Sequence, residues 1–289
     1  MSLISVLIAL AVEHFYKQIG ELRQFGWFAR YHDKVFNKLE GQPFRDGPLG
    51  VVLILGAVVL AVWLVNAMLA GVAIVFSFIF TVVVLIYCLG PRDLEKDVQN
   101  FTQAVERGDI EAAEIMAGEF LDTPPGDKNA ADLIKHVEAG ILIHANARVL
   151  GVLLWCMLLG PVGAALFRLS CQLKSRLAAD DSAYANAARD LYRILMWLPA
   201  RLSVVGFALT GSFVDTMSNW SNVSDMWRRD SDDFIVISGL GAIRHELDVE
   251  QRESETDLVC IHHVMALVKR TLLVWVAILA ILTLTGLVF

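Results

Sequence analysis

Three stretches of the chain set ionisable or polar side chains among apolar ones, and each suggests a chemistry. The segment Ile141–Leu169 reads ILIHANARVLGVLLWCMLLGPVGAALFRL and carries His144, Asn146 and Arg148. A charge near the centre of a bilayer costs about 2.5–3.5 kcal/mol on insertion scales, so Arg148 must face protein, water or a ligand. His144 stands one helical turn earlier on the same face. Two readings follow. Arg148 builds an anion site for a carboxylate or phosphate with Asn146 or His144, or it snorkels to the headgroups while the membrane helix proper begins near Val149.

The second stretch is Pro199-Ala200-Arg201, inside the apolar run Ile194–Phe213. Proline removes a backbone donor and frees the carbonyl one turn earlier, near Leu195, while Arg201 lies one turn from Trp197. Either the helix is broken and turns an arginine inward at membrane depth, or Pro199 opens a helix with Arg201 at its end. The third stretch, Glu13-His14 with Lys17, follows a short apolar start, Leu3–Val12, and suits the rim of a membrane helix.

Other candidates carry less. Cys260-x-His262-His263 invites a metal reading, but adjacent histidines point to different faces of a helix and no matched cysteine pair accompanies them. Cys88, Cys156, Cys171 and Cys260 are far apart and read as small buried hydrophobes. Gly239-Leu240-Gly241-Ala242 is a lone glycine pair, and no phosphate loop, nucleophile elbow or calcium loop is present, so the cofactor, if any, is unknown from motifs.

These residues need helices to hold them. Pro48–Met68 and Gly71–Leu89 are uncharged and each long enough to cross about 30 Å of hydrocarbon, which predicts a transmembrane hairpin over 48–89 with its tip at Leu69-Ala70. Thr271–Phe289, after Lys269-Arg270, predicts a C-terminal transmembrane helix. Between them, 141–213 reads as two interrupted membrane helices. Leu94, Val98, Phe101 and Val105 recur at helical spacing, Gly108 stops that helix and Asp109 can cap the next, giving a cytoplasmic helical hairpin within 90–140. Residues 214–270 read as a soluble helical segment rich in acidic side chains.

Lysine and arginine orient the chain: six lie in 17–45, five in 92–135, four in 174–193 and six in 228–270, with none at the hairpin tip. The tip is therefore outside, and 17–47 and 90–140 are cytoplasmic. Full crossing of both interrupted segments puts the basic loop 170–193 outside, against that rule, so this part of the topology stays open. Over the whole chain, 56% of 289 residues are apolar and 19% charged, with a mean hydropathy of +0.56. The net charge of −7 excludes a nucleic-acid binder with a basic face. The expected fold is all-α, a single polytopic helical membrane domain over 1–289 with cytoplasmic helical segments.

The order of these features resembles the AmpE proteins of bacterial inner membranes over essentially the whole chain. The resemblance rests on the apolar start ending at Glu13, the early hairpin, VERGDIEAAEIMAGEF (Val105–Phe120), HANARVLGVLLWCMLLGPVG (His144–Gly163), WLPARL (Trp197–Leu202) and the final apolar helix. More distantly, Gly108-Asp109 with Ala112-Ala113, Leu159-Gly160-Pro161 with Gly163, and Pro199-Ala200-Arg201-Leu202 are similar to the cobalamin-biosynthesis membrane synthases CobD and CbiB.

The first resemblance implies an inner-membrane regulator linked to induction of a chromosomal β-lactamase and to cell-wall recycling, with an AmpD-like amidase or another cytosolic protein as partner through the acidic segments. The second implies ATP-dependent amide formation on an adenosylated cobyric acid. The synthases carry His-Pro-Val where this chain has Gln42-Pro43-Phe44 or Gly47-Pro48, and Arg-Asp where it has Ala117-Gly118-Glu119. The expectation is therefore a regulator rather than an enzyme, with the bilayer as partner and an anionic small molecule bound by Arg148 and Arg201 beside Asn146 and His144.

Overall fold

The computed structural model describes residues 25–42, 45–89, 94–121, 130–216, 230–243 and 258–284. Among them every regular element is a helix, and four are long and apolar enough to cross a membrane: Pro48–Val72, Asp132–Leu159, Ala183–Thr210 and Leu258–Ile278. The chain is thus a multi-pass, all-α membrane protein. Glu13, His14 and Lys17 lie outside the described residues.

The chain forms two compact units. The first comprises 1–91, 147–197 and 282–289; the second comprises 92–146 and 198–281. The first unit begins with α1 (Gly26–Lys38), an amphipathic helix that buries Phe28 and His32. Next come α2 (Pro48–Val72), opened by proline at its first position, and α3 (Ile74–Cys88). Ala73 breaks them in an extended conformation, so the hairpin tip falls there rather than at Leu69-Ala70. Both helices are apolar all round, which leaves no periodic stripe to mark their ends. Near the tip Ser77 Oγ donates to Asn66 Oδ1 at 2.8 Å, pairing two polar groups that lipid would leave unsatisfied.

The base of this hairpin packs against α8 (Pro161–Arg176) and the start of α9 (Ala183–Thr210). Ile54, Leu55, Leu169, Leu173, Leu177 and Tyr184 form the core there together with Phe28. Toward the tip the side chains of Leu60, Trp63, Met68, Val72 and Phe76 are exposed, as lipid-facing residues of a spanning hairpin would be.

The segment 141–169 is interrupted twice, by a π turn and by a break at Gly160. Helix α6 (Ala130–Ala145) widens into a π turn, Asn146–Leu150, continues as α7 (Gly151–Leu159) and ends at Gly160, whose φ of +65° glycine tolerates and other residues resist. Pro161 then starts α8. A Cβ at Gly163 would sit 2.2 Å from the Trp155 carbonyl oxygen, so glycine is what lets α8 lie directly on α7. Of the apolar run 194–213, all but the last three residues form the second half of α9, which continues through Pro199.

In the second unit α4 (Leu94–Glu106) and α5 (Ile110–Leu121) form a helical hairpin. Gly108 turns at φ +72°, and Asp109 Oδ1 accepts from the Ala112 amide at 3.0 Å, capping α5. Within 214–270, helix α10 (Ser231–Ile243) is largely buried, with Phe234, Ile235, Ser238, Gly239, Ala242 and Ile243 inside. A Cβ at Gly239 would come within 2.7 Å of Leu142 Cδ1, so the glycine pair serves close packing of α10 on α6. The last helix, α11 (Leu258–Leu284), begins well before Lys269-Arg270, which lie inside it.

Candidate functional site

The second unit gathers polar side chains along the last three turns of α9. Arg201 is only 8% exposed, and its Nη1–H donates to Ser231 Oγ at 2.9 Å. Its guanidinium carbon lies 5.1 Å from the centroid of the Phe234 ring, within cation–π range. Ser231 is the first residue of α10 and itself buried, so the guanidinium is aimed at a helix N-terminus. A cation there opposes the helix dipole. Asp230 acts attractively on Arg201, and Asp232 and Asp233 occupy the first turn of α10, which offsets that opposition.

Two residues further along α9, and so on the opposite side of the helix, Ser203 Oγ donates to Asn146 Oδ1 at 2.6 Å. Both residues are buried, Asn146 completely. At the last residue of α9, Thr210 Oγ1 and Thr271 Oγ1 are 2.9 Å apart, and Arg270 Nη1 donates to the Thr210 carbonyl at 3.3 Å. Gly206 lies between these contacts, and a Cβ there would come within 2.6 Å of Thr271 Cγ2. The end of α9 therefore carries polar groups on two sides, Arg201 on one and Ser203 with Thr210 on the other, each held by a partner from another element.

Of the residues singled out in the sequence, Arg201 and Asn146 take part in these contacts, on opposite sides of α9 and each with its own partner. Arg148 stands in the π turn, half-buried, within the first unit, and His144 is half-buried on α6 in the second. Ser203, Ser231 and Phe234 are the partners that the sequence does not single out. A serine has no signature of its own, and Phe234 reads only as an apolar anchor. Arg168 obeys the same rule as Arg148: it is a charge in an apolar run, 4% exposed, with its guanidinium 5.4 Å from the Phe25 ring.

A family model described as "Regulatory signalling modulator protein AmpE" matches residues 1–289. The chain belongs to the AmpE family. This AmpE-family chain is also 24% identical over 200 residues to a protein named "Cobalamin biosynthesis protein CobD" from Chromobacterium violaceum, a match covering 68% of this chain and 62% of that one. It is 24% identical over 247 residues to a protein of the same name from Stutzerimonas stutzeri, covering 84% of this chain and 80% of that one. The first match thus spans less than two thirds of its relative's length. No solved structure matches. The family assignment and the distant CobD relatives agree with the resemblances drawn from Val105–Phe120, His144–Gly163 and Trp197–Leu202.

Proposed function

We propose that this AmpE-family protein is an inner-membrane regulator that binds an anionic small molecule at Arg201 and relays its presence to β-lactamase induction and cell-wall recycling. The observation that carries the reading is the fixed guanidinium. One arm is spent on Ser231 and one face on Phe234, so its direction is set before any ligand arrives. A guanidinium beside a helix N-terminus recognises carboxylate or phosphate by charge-assisted hydrogen bonds. Asp230 is the internal charge with which such a ligand competes. An AmpD-like amidase or another cytosolic protein is the proposed partner, through the acidic segments; Arg148 and His144 are further candidates whose own variants test them.

The test is genetic. A strain lacking the gene, complemented with wild type or Arg201→Ala, is challenged with a β-lactam and its β-lactamase activity measured. The reading expects altered induction on deletion, restored by wild type and not by Arg201→Ala at equal protein level. The second reading, favoured by the CobD relatives, is a membrane synthase forming an amide bond in cobamide synthesis. It expects instead ATP turnover by the purified protein that Arg201→Ala abolishes.

A further inference from the structure

In the first unit, far in sequence from Arg201, four titratable side chains meet where α1 packs on the connection between α8 and α9. His32 is 5% exposed. Its Nε2 is 3.1 Å from the hydroxyl of Tyr184, and its Nδ1 is 3.3 Å from Asp33 Oδ1. Arg176 Nη2 donates to the same Asp33 oxygen at 2.5 Å. Phe36 stacks on the imidazole with ring centroids 5.4 Å apart, and the Arg45 guanidinium covers the Phe36 ring at 4.1 Å. Tyr31, also on α1, donates to the Ile54 carbonyl of α2. The groups facing this histidine are thus Asp33 from its own helix, Arg176 from α8, Tyr184 from α9 and Arg45 beyond Phe36.

The donors and acceptors fix the tautomer. A carboxylate only accepts, so Nδ1 carries the proton toward Asp33, and Nε2 then accepts from the Tyr184 hydroxyl. Adding a proton at Nε2 reverses that bond. The hydroxyl must then accept, and its own hydrogen loses its acceptor in a site where Tyr184 is 1% exposed. The positive imidazolium also faces Arg176. Asp33 is mostly exposed and already engaged by Arg176, so it offsets only part of this.

We propose that His32 is a proton-operated latch, which in its neutral form fastens α1 to the α8–α9 connection and on protonation lets α1 go. Burial, ahead of every other influence, holds the imidazole below its ordinary range, in keeping with this direction. The sign follows by linkage: a histidine whose affinity for protons is lower in the latched form stabilises that form above the ordinary histidine pKa. The stabilisation is lost as pH falls from about 6.5 toward the lowered value. One proton links the two forms, so the latched-to-released ratio falls by at most about tenfold per pH unit across that window.

The test is hydrogen exchange on the full-length protein in lipid nanodiscs from pH 7.5 to pH 5, read as protection factors for Gly26–Lys38 so that intrinsic exchange chemistry cancels. Wild type is expected to lose protection of α1 as pH falls, with a slope of no more than about tenfold per unit, while α2 stays protected. His32→Gln, which keeps a donor and an acceptor but cannot titrate, is expected to flatten the profile. Protection of α1 that does not change with pH in wild type overturns the proposal whether or not the variant folds; so does a His32→Gln profile that matches wild type.

Discussion

The indole Nε1–H of Trp155 donates to the carbonyl oxygen of Leu195 at 3.0 Å, and that carbonyl is the one Pro199 leaves without its helical donor. Residue 199 would ordinarily supply the amide hydrogen for the carbonyl four positions before it, and proline has none. Leu195 is buried, and an unsatisfied carbonyl there is costly. A side chain from α7 supplies the missing donor, so α9 runs through Pro199 into the turn that carries Arg201.

Replacing Trp155 with Phe keeps an aromatic ring and removes the donor. It is expected to lower stability by about 1–3 kcal/mol, the cost of an orphaned buried acceptor, measured as unfolding in detergent with graded denaturant. Pro199→Ala restores an amide hydrogen to the Leu195 carbonyl and should recover part of that loss in the Trp155→Phe background. A double variant no more stable than Trp155→Phe alone would mean that the indole is not acting as the substitute donor.

The sequence makes half of this relationship legible. Proline chemistry is local, so the freed carbonyl near Leu195 can be placed from the WLPARL segment alone. Its donor cannot, because Trp155 lies 40 residues away and reaches Leu195 only through packing. The same division runs through the fold. Gly108 and Asp109 announce a helix stop and a cap within a few residues, and both stand as expected. The tip at Ala73 does not announce itself, since alanine has no turn chemistry and its neighbours are apolar on every face. The π turn at Asn146–Leu150 has no sequence pattern either. Arg201 is legible as a charge in an apolar run, whereas its anchors Ser231 and Phe234 follow only from the burial of α10.

Gly163 and Gly56 separate a glycine required by packing from one that is not. A Cβ at Gly163 meets the Trp155 backbone oxygen at 2.2 Å, whereas a Cβ at Gly56 meets nothing within 4 Å. Gly163→Ala is expected to destabilise by about 1–3 kcal/mol through forced displacement of α8 from α7. Gly56→Ala should stay within about 0.5 kcal/mol of wild type. Equal melting temperatures for the two variants would contradict the close α7–α8 approach.

Asn146 and Ser203 form a buried pair that ties the π turn to α9. A double-mutant cycle with Asn146→Ala and Ser203→Ala should return a coupling of about 0.5–1.5 kcal/mol in thermal or denaturant unfolding, the range of an intramolecular hydrogen bond. Strictly additive losses would place the two side chains out of contact.

The regulatory reading turns on Arg201, and ligand-induced thermal stabilisation of the purified protein tests it most directly. Wild type, Arg201→Ala and Ser231→Ala are titrated with anhydromuropeptides, nucleotides and corrinoids in parallel. Wild type is expected to be stabilised by at least one anionic ligand, with a shift that grows with its concentration. That shift should disappear in Arg201→Ala and weaken in Ser231→Ala, where the guanidinium loses its anchor. A ligand that stabilises Arg201→Ala as strongly as wild type, or the absence of any shift in wild type with all three classes, would contradict the account.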